Sequence, residues 1–424
     1  LTHDTHMGSH LLLVKTEGQI HEHFFAKLND PHHEVWDGKL PTEEGLQKQT
    51  GIKDIRDVKD FDGVMNRLFQ GGSLNLAEGS WFDVPPYLPL YDKLLAGDVE
   101  LWLPLGNYRR FTGDAALTAA QTFANKIRQH FPEVKIRNIT PHIRRMRQIK
   151  SESELAKMRE AIRITDMAQI AAMKTVQTVE YEYEVEAAIE NTFRSAGACC
   201  DAFQSIVASG TNGTILHYMS NNEKLGDHDL IITDIGAEVD YYSADVARTF
   251  PVSGTFTDDQ KTIYNLVLKA QREAISEARI GSNLTELTVG IAEKILGNGL
   301  LDLGLIVENT PEQVRSYFLH PIGHGLGLDV HDGLMRYEPF VANMVITVEP
   351  GIYVRKQDVV EKDWFKALSA EQQASVTEAL DRFNGIGVRI EDDVLITDGD
   401  AVILSTGSPV TVQEIEATMA RLRQ

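Results

Sequence analysis

The sequence predicts a mixed α/β (α+β) protein with two domains, and three observations lead to this prediction. The chain has 424 residues, which is more than a single domain usually contains. Over residues 1–140, short apolar runs alternate with helical periodicity, which is typical of a small α/β domain. Residues 141–424 open with long helical patterns and continue with strand-like runs, which predicts helices that cover a sheet.

The N-terminal domain is predicted to alternate strands and helices. Its strands are expected at 11–15, 23–26, 99–103 and 133–137, and its helices at 60–70 and 115–130. The polar stretch 29–38 contains Asp30-Pro31 and ends at Gly38, which predicts a loop. The run His6-Met7-Gly8-Ser9-His10 indicates a vector-derived stretch, and we assign no metal site to its histidines.

The C-terminal domain is predicted to open with helices after a boundary near Thr140-Pro141. Ser151 and Glu154 form a capping-box pattern, so a long helix is expected at about 152–176. Further helices are predicted at 183–195, after the pair Thr257 and Gln260, and after the pair Asn283 and Glu286.

Composition disfavours several classes of protein. The net charge is −21, from 62 acidic and 41 basic residues, which disfavours nucleic acid and anionic membranes as partners. No apolar run approaches the roughly 18 residues that span a bilayer, and no signal peptide is evident. The adjacent cysteines Cys199 and Cys200 form no disulfide framework, which favours a cytoplasmic protein. We interpret them as small, half-buried residues after a helix.

Candidate metal ligands occur in five segments of strand or turn character. They are Asp234, Asp245, His324, Glu349 and Glu391. Each acid alone is typical of a strand end at the surface. Together they would bury several carboxylates, which costs several kcal/mol unless cations compensate the charge. A carboxylate-rich set with one imidazole suits Mn²⁺, Co²⁺ or Zn²⁺, and two such ions about 3.5–4 Å apart can activate a water for hydrolysis.

A hairpin is predicted to bring two of these acids together. Val239-Asp240 is expected to form its turn, and Asp234 and Asp245 lie on its two arms. Side chains at matching positions of paired strands share one sheet face, so both carboxylates can reach one site.

Two stretches contain candidate histidines, and the first of them allows two interpretations. The glycine-rich run from His320 to His331 could cradle a phosphate, but no strand-glycine-helix unit surrounds it. Alternatively, His324 in that run binds a metal through a neutral imidazole. His217, which follows Ile215-Leu216, is in isolation typical of a packed side chain.

Taken together, these motifs resemble the pita-bread metallopeptidases. The matching segments are Asp234-Ile-Gly-Ala, Ala244-Asp-Val-Ala-Arg-Thr-Phe-Pro251, His320-x-x-x-His324, Val348-Glu-Pro-Gly-Ile-Tyr353 and Gly387-Val-Arg-Ile-Glu-Asp-Asp393. The chain is most similar to the proline-specific branch, Xaa-Pro aminopeptidase (aminopeptidase P) and Xaa-Pro dipeptidase (prolidase). The resemblance implies an antiparallel sheet covered by helices in residues 141–424. It also implies an N-terminal domain of the creatinase/aminopeptidase P type in residues 1–140, incomplete at its start.

The same resemblance implies a role for each candidate residue. Asp234 would hold one ion, Asp245 and Glu391 would bridge two, and His324 and Glu349 would complete the second. Glu349 would also move a proton to the leaving nitrogen. His217 and His331 would orient substrate and stabilise the oxyanion. Arg389 and Tyr353 are supporting candidates for catalysis and substrate binding, and His320 is expected near the substrate without touching metal.

The implied activity is hydrolysis of the bond between an N-terminal residue and a following proline. The expected cofactors are two divalent ions, with Mn²⁺ favoured over Co²⁺ and Zn²⁺. Peptides with proline in second position are the expected partners, and a homo-oligomer, dimer or tetramer, is expected. Alternatives are a prolidase restricted to dipeptides, a metal-free enzyme of the creatinase type, and an inactive binding module.

Two segments depart from the family pattern. Gly333-Leu334-Met335 and Glu338–Met344 differ from the usual residues, which affects loops at the rim of the site, and Asn343 is expected to adopt a left-handed turn. Residues 354–386 form an insertion with a charged helix at about 370–383, which indicates a lid or an oligomer contact.

Overall fold

The computed structural model describes residues 8–16, 18–69, 88–106 and 116–423. Its internal contacts divide the chain into two compact units, Leu1–Pro141 and His142–Gln424. Among the described residues, no helix has both the length and the apolar character that a membrane span requires.

The first unit contains a three-stranded sheet and a separate pair of parallel strands. In the sheet, β1 pairs antiparallel with β2, and β2 pairs parallel with β3; in the pair, β4 is parallel to β5. The elements are β1 (His10–Thr16), β2 (Gln19–Ala26), α1 (Pro31–Asp37), α2 (Glu43–Thr50), β3 (Asp54–Asp57), a 3₁₀ turn (Val58–Asp60), α3 (Phe61–Phe69), α4 (Leu88–Leu95), β4 (Glu100–Leu103), α5 (Ala119–His130) and β5 (Lys135–Asn138).

The predicted strands and helices of this unit are confirmed, with one exception. The segment 29–38 is not a loop, because Pro31–Asp37 form α1. Asp30 caps this helix by accepting a hydrogen bond from the His32 N–H, and Pro31 occupies its first turn. Gly38 ends the helix at a positive φ of 79°. Asp30-Pro31 and Gly38, which were expected to bound a loop, therefore mark the two ends of a helix. Gln70 and Ala115, at the ends of two predicted helices, lie outside the described residues.

Groups of helices and groups of short strands follow one another in the second unit. Helix α6 (Thr140–Gln148) spans the boundary, with its first two residues in the first unit. The helices that follow are α7 (Glu152–Thr175), α8 (Glu182–Ala196), a 3₁₀ turn (Gly210–Thr214), α9 (Asp258–Glu277), a π-helix (Glu286–Ala292), α10 (Glu293–Asp302), α11 (Pro311–Val314), α12 (Lys356–Val359), α13 (Asp363–Lys366), α14 (Ala370–Phe383) and α15 (Val412–Leu422). Its strands are β6 (Cys200–Asp201), β7 (Ile206–Ser209), β8 (Leu230–Ile235), β9 (Ala237–Val239), β10 (Tyr242–Ser243), β11 (Val246–Pro251), β12 (Val345–Val348), β13 (Gly351–Tyr353), β14 (Gly387–Arg389), β15 (Asp392–Leu395) and β16 (Val402–Ile403).

All strand pairs of the second unit are antiparallel within the described residues. The strand orders are β10-β9-β6, β11-β8-β7, β12-β15-β16 and β13-β14. One large hydrophobic core lies between these strands and helices α7, α8 and α9. The predicted combination of helices and an antiparallel sheet in this unit is confirmed.

Local predictions in this unit hold with small shifts. Capping boxes begin α7 at Ser151 and α9 at Thr257, as predicted. The hairpin turn lies one residue later than expected, because Asp240 and Tyr241 carry the positive φ values of 49° and 72°. Asn343 has a φ of 66°, which confirms the left-handed turn.

The predicted start of the fourth helix is confirmed, because the Asn283 side chain accepts a hydrogen bond from the Glu286 N–H at 3.0 Å. The helix then continues as a π-helix over Glu286–Ala292 before α10 begins. Two expectations need correction. The cysteines are exposed rather than half-buried. The insertion 354–386 is anchored in the core through the buried side chains Trp364, Phe365 and Leu380, so it does not have the loose packing of a lid.

Candidate metal centre

The two aspartates are positioned by neighbouring strands. In the β8–β11 pair, Asp234 stands opposite Ala247, and Asp245 directly precedes β11. Gln169 of α7 supports this arrangement, because its amide donates to the carbonyl oxygens of Thr233 (3.1 Å) and Val246 (2.7 Å). The residues next to both aspartates are therefore held by one buried side chain.

The two glutamates lie where two strand pairs meet. Glu349 lies between β12 and β13, and Glu391 lies between β14 and β15. The Glu391 N–H donates to the Ala247 carbonyl at 3.0 Å, next to the aspartates. The Glu349 N–H donates to the Ile322 carbonyl at 2.7 Å, which joins this position to the glycine-rich run.

A close backbone approach positions the histidine. Any Cβ at residue 323 would lie 2.0 Å from the Thr347 carbonyl, so Gly323 is required there. This approach allows His324 to exchange hydrogen bonds with Thr347 across the gap. The Nδ1 atom of His324 lies 3.1 Å from the Gly325 carbonyl, which can only accept. Nδ1 therefore carries the proton, and Nε2 has a free lone pair.

The free nitrogen faces the carboxylates. His324 Nε2 lies 3.4 Å from Asp245 Oδ2 and 3.5 Å from Glu349 Oε1. Ligand atoms of Asp245, His324 and Glu391 all lie within 4.8 Å of one another. All five candidate ligands line one cavity of about 740 Å³. The structure thus brings together the residues that the sequence motifs single out.

The buried carboxylates of this cluster would carry negative charge that only nearby cations can compensate. Burial and the neighbouring Asp234 raise the pKa of Asp245 well above its usual range, and burial with Asp245 does the same for Glu391. Burial also raises the pKa of Glu349 to about 7. One oxygen each of Asp234 and Asp245, Oδ1, is buried without a hydrogen-bond partner. Buried, unpaired carboxylate oxygens beside a free imidazole nitrogen fit divalent ions of the Mn²⁺, Co²⁺ and Zn²⁺ group.

The metal-free protein should become less stable as the pH rises. The pKa of Glu349 is about 7 in the folded state against an ordinary value of 4.5. Its contribution to stability is therefore complete below about pH 4.5 and lost as the pH rises through about 7. We expect the thermal midpoint of metal-free protein to fall by at least 2–4 °C between about pH 5 and pH 8, the shift that about 1 kcal/mol produces. Protein saturated with Mn²⁺ is the control, and an equal fall in both samples would contradict this origin.

Arg389 connects the cluster to two further candidates. Its guanidinium contacts Asp234 Oδ2 at 2.7 Å and donates to the Tyr353 hydroxyl at 2.8 Å. The Tyr353 hydroxyl in turn donates to His320 Nε2 at 2.8 Å, because His320 Nδ1 donates to the Pro321 carbonyl. Burial and the Arg389 charge lower the pKa of His320 to about 4, so this imidazole is neutral at pH 7. Tyr353 is fully buried and is not among the residues that line the cavity, so its hydroxyl contacts Arg389 and His320 and not the cavity itself.

His217 and His331 stand at the cavity opening. Both side chains are exposed and line the cavity. The ring of His331 is 4.2 Å from the ring of His324, centroid to centroid. The next residue, Asp332, is buried and forms an ion pair with Arg147, whose Nε lies 2.9 Å from Asp332 Oδ1, and this pair holds the loop that carries His331. Both histidines therefore border the same cavity as the five candidate ligands.

Some supporting residues were not recognised in the sequence. Arg248 is buried behind Glu391 and forms an ion pair with Asp392 at 2.8 Å. Asp393 accepts from the backbone N–H of Asp245 at 3.2 Å. A signal for Arg248 existed, since an arginine inside the apolar run 246–251 needs a buried partner. Its partner could not be read from a local pattern.

Comparisons with known proteins find relatives over nearly the whole chain. Residues 156–398 match the model of metallopeptidase family M24, and residues 5–76 match the N-terminal domain of aminopeptidase P. The chain is 33% identical to a Xaa-Pro aminopeptidase of Haemophilus influenzae over 96% of this chain and 84% of that protein. It is 29% identical to the Escherichia coli Xaa-Pro aminopeptidase, over 98% and 86%.

Solved structures give the same result. A structure of aminopeptidase P from E. coli in a low-pH form superposes with a TM-score of 0.78 at 28% identity, covering 98% of this chain and 86% of that chain. A zinc-substituted E. coli aminopeptidase P in complex with product superposes with a TM-score of 0.77 at 29% identity and the same coverage.

Proposed function

The chain belongs to metallopeptidase family M24 and to its Xaa-Pro aminopeptidase branch, and from this premise we propose which reaction its residues perform. The proposed reaction is metal-dependent hydrolysis of the bond between an N-terminal residue and a following proline. One observation carries the proposal for this chain: five donor side chains converge on one cavity, and two of their buried oxygens lack partners. An inactive binding module would have no need to maintain such a costly cluster.

We propose two divalent ions, with Mn²⁺ preferred and Co²⁺ or Zn²⁺ as alternatives. Asp234 would hold the first ion through Oδ1, because Arg389 already occupies its Oδ2. Asp245 and Glu391 would bridge the two ions. His324 and Glu349 would complete the second. When bound, the ions would lower the pKa of a water and polarise the peptide carbonyl.

Glu349 is proposed to transfer a proton from the attacking water to the leaving group. Its carboxylate would accept a proton from the attacking water and deliver it to the proline nitrogen. That delivery is required, because the nitrogen must be protonated to leave as an amine. His320, whose Nδ1 is 3.7 Å from Glu349 Oε2, stays neutral and does not compete for this proton.

His217 and His331 are proposed to bind the substrate and the developing oxyanion. Burial and the neighbouring His324 lower the pKa of His331, so it presents a neutral ring at pH 7. A neutral imidazole donates one hydrogen bond to an oxyanion without a proton transfer. Arg389 and Tyr353 would position Asp234 and His320.

The cavity walls suit a proline-containing peptide. Apolar side chains line the cavity together with the polar candidate ligands, and they include Phe203, Leu284 and Leu334. Such walls can bury a pyrrolidine ring, which has no N–H to satisfy. The proposed partners are therefore peptides with proline in the second position.

The deciding experiment compares two substrates. Protein dialysed free of metal is given Mn²⁺ and offered Xaa-Pro and Xaa-Pro-Xaa-Xaa side by side, with Xaa-Ala-Xaa-Xaa as the matched control. We expect release of the first residue from the longer proline peptide, and no release from the alanine peptide. Cleavage of the dipeptide alone would identify a prolidase instead. No cleavage by protein that holds two ions would overturn the proline assignment.

We further propose an N-terminal domain over residues 1–140, a catalytic domain over 141–424, and a cytoplasmic homo-oligomer, dimer or tetramer. Support for the boundary is the division of contacts after Pro141, and support for the compartment is the pair of free thiols. Light scattering of the purified chain would test the oligomeric state.

A further inference from the structure

A second cluster of metal-binding side chains lies outside the candidate metal centre. Cys199 and Cys200 follow α8, and both are exposed. Their Sγ atoms are 2.9 Å apart. Glu238 Oε1 lies 3.3 Å from the first sulfur and 3.7 Å from the second. Three potential ligands thus converge at the surface, and the proposed peptidase reaction uses none of them.

Backbone pairing holds these side chains together. Cys200 of β6 stands opposite Glu238 of β9, and the Cys199 N–H donates to the Glu238 carbonyl at 3.0 Å. The Arg194 guanidinium donates to the carbonyl oxygens of Ala198 and Cys199. It therefore fixes the backbone of the turn and leaves the sulfur and carboxylate atoms available.

We propose that Cys199, Cys200 and Glu238 bind a thiophilic divalent cation of the Zn²⁺ class. Tetrahedral Zn²⁺ takes sulfur at about 2.3 Å and oxygen at about 2.0–2.2 Å, which places neighbouring ligand atoms about 3.5–3.8 Å apart. The two sulfur–oxygen distances, 3.3 and 3.7 Å, are close to this requirement. The sulfur–sulfur distance must widen by less than 1 Å, roughly, and χ1 rotation of exposed side chains permits that. Solvent would supply the fourth ligand.

The Glu238 carboxylate adds a negative charge beside both sulfur atoms, which favours a cation at this position. A bound cation would displace the thiol protons, so its affinity should rise with pH. An ion here would also link β6 to β9 directly before Ala202 and Phe203, which line the cavity of the metal centre.

Cadmium is the probe for this site, because a Cd²⁺–thiolate bond has an ultraviolet charge-transfer band. The full chain is stripped of metal, reduced with a phosphine, assayed for two free thiols, and titrated with Cd²⁺. We expect a band that saturates at one equivalent of thiolate-bound Cd²⁺ and disappears when excess Zn²⁺ is added. Cys199→Ser and Cys200→Ser should each abolish tight binding. Glu238→Gln should weaken it by at least about tenfold, since even partners outside the ligand set change affinity about 10–100-fold.

The candidate metal centre does not interfere with this measurement. The two cysteines of the chain, Cys199 and Cys200, do not line that cavity, so Cd²⁺ bound there gives no thiolate band. Asp245→Asn, which alters that centre, should leave the band intact, and this separates failure of the proposed function from failure of this site. Two counted thiols with no band at saturating Cd²⁺ would overturn the proposal. An unchanged affinity in Glu238→Gln would equally overturn the three-ligand site.

Discussion

Asp245→Asn is expected to lower kcat/KM for an Xaa-Pro-Xaa-Xaa peptide by about 10³-fold or more. An amide keeps the shape of the side chain but offers one neutral oxygen, so it cannot bridge two ions. Asp245 Oδ1 is unpartnered in the structure, and Oδ2 faces His324 at 3.4 Å. Bound metal ions stabilise the transition state by several kcal/mol. Each 1.4 kcal/mol of that stabilisation that is lost lowers the rate about tenfold.

Two further measurements on this variant distinguish a metal ligand from a general structural residue. Elemental analysis should show that the bound Mn²⁺ falls from about two ions per chain to one or none. The metal-free variant should be at least as stable as metal-free wild type at pH 8, because a buried negative charge has been removed. A merely structural aspartate would instead destabilise the metal-free protein.

Asp240→Asn is the matched control for this experiment. It makes the same chemical change five positions away, at an exposed turn residue with a φ of 49°, a conformation that asparagine tolerates well. We expect activity within about twofold of wild type. If Asp245→Asn retains wild-type activity and metal content, the assignment of Asp245 as a bridging ligand fails.

Arg248→Met is expected to cost about 3–5 kcal/mol of unfolding free energy, because it leaves a buried carboxylate without its partner. Arg248 is 0% exposed and contacts Asp392 Oδ1 at 2.8 Å. It also donates to the Glu391 carbonyl at 2.6 Å, so its loss should loosen a metal ligand as well. Denaturant unfolding of the metal-free protein measures the first effect, and Mn²⁺ affinity measures the second.

Two companion variants make this result interpretable. Arg248→Met combined with Asp392→Asn removes the uncompensated charge, so it should recover part of the lost stability. Arg382→Met breaks an ion pair with Asp259 at the surface, and such pairs contribute about 0–1 kcal/mol. A cost for Arg248→Met no larger than for Arg382→Met would show that the buried pair does not stabilise the fold.

The sequence predicted those features that depend on a few consecutive residues. Ser151 and Thr257 predicted helix starts because a capping box is a property of four consecutive residues. The donor side chains could be listed because each follows a strand-like run with its own signature. Asp30-Pro31 misled, since the same dipeptide begins loops and helices, and only packing of the following residues decides between them.

Features that depend on distant residues could not be predicted. Arg248 and Asp392 are separated by 144 positions, and nothing near either residue indicates the other. Tyr353 was expected to contact substrate, yet its burial beneath His320 and Arg389 follows from how β13 packs against β14. The π-helical turns before α10 also depend on tertiary packing, because their sequence is compatible with an ordinary α-helix.

Gln169 gives the candidate metal centre an unusual link to the core. Its side chain holds β8 through Thr233 and β11 through Val246, and the Thr233 hydroxyl donates back to its carbonyl oxygen at 2.5 Å. Strand β8, which carries Asp234, and strand β11, which Asp245 directly precedes, therefore cannot separate unless α7 also shifts. In amide hydrogen exchange, these two strands should open only together with α7, at close to the global unfolding free energy. Ion release from a folded chain would then proceed through side-chain motion at the cavity, and not through fraying of the strands beneath it.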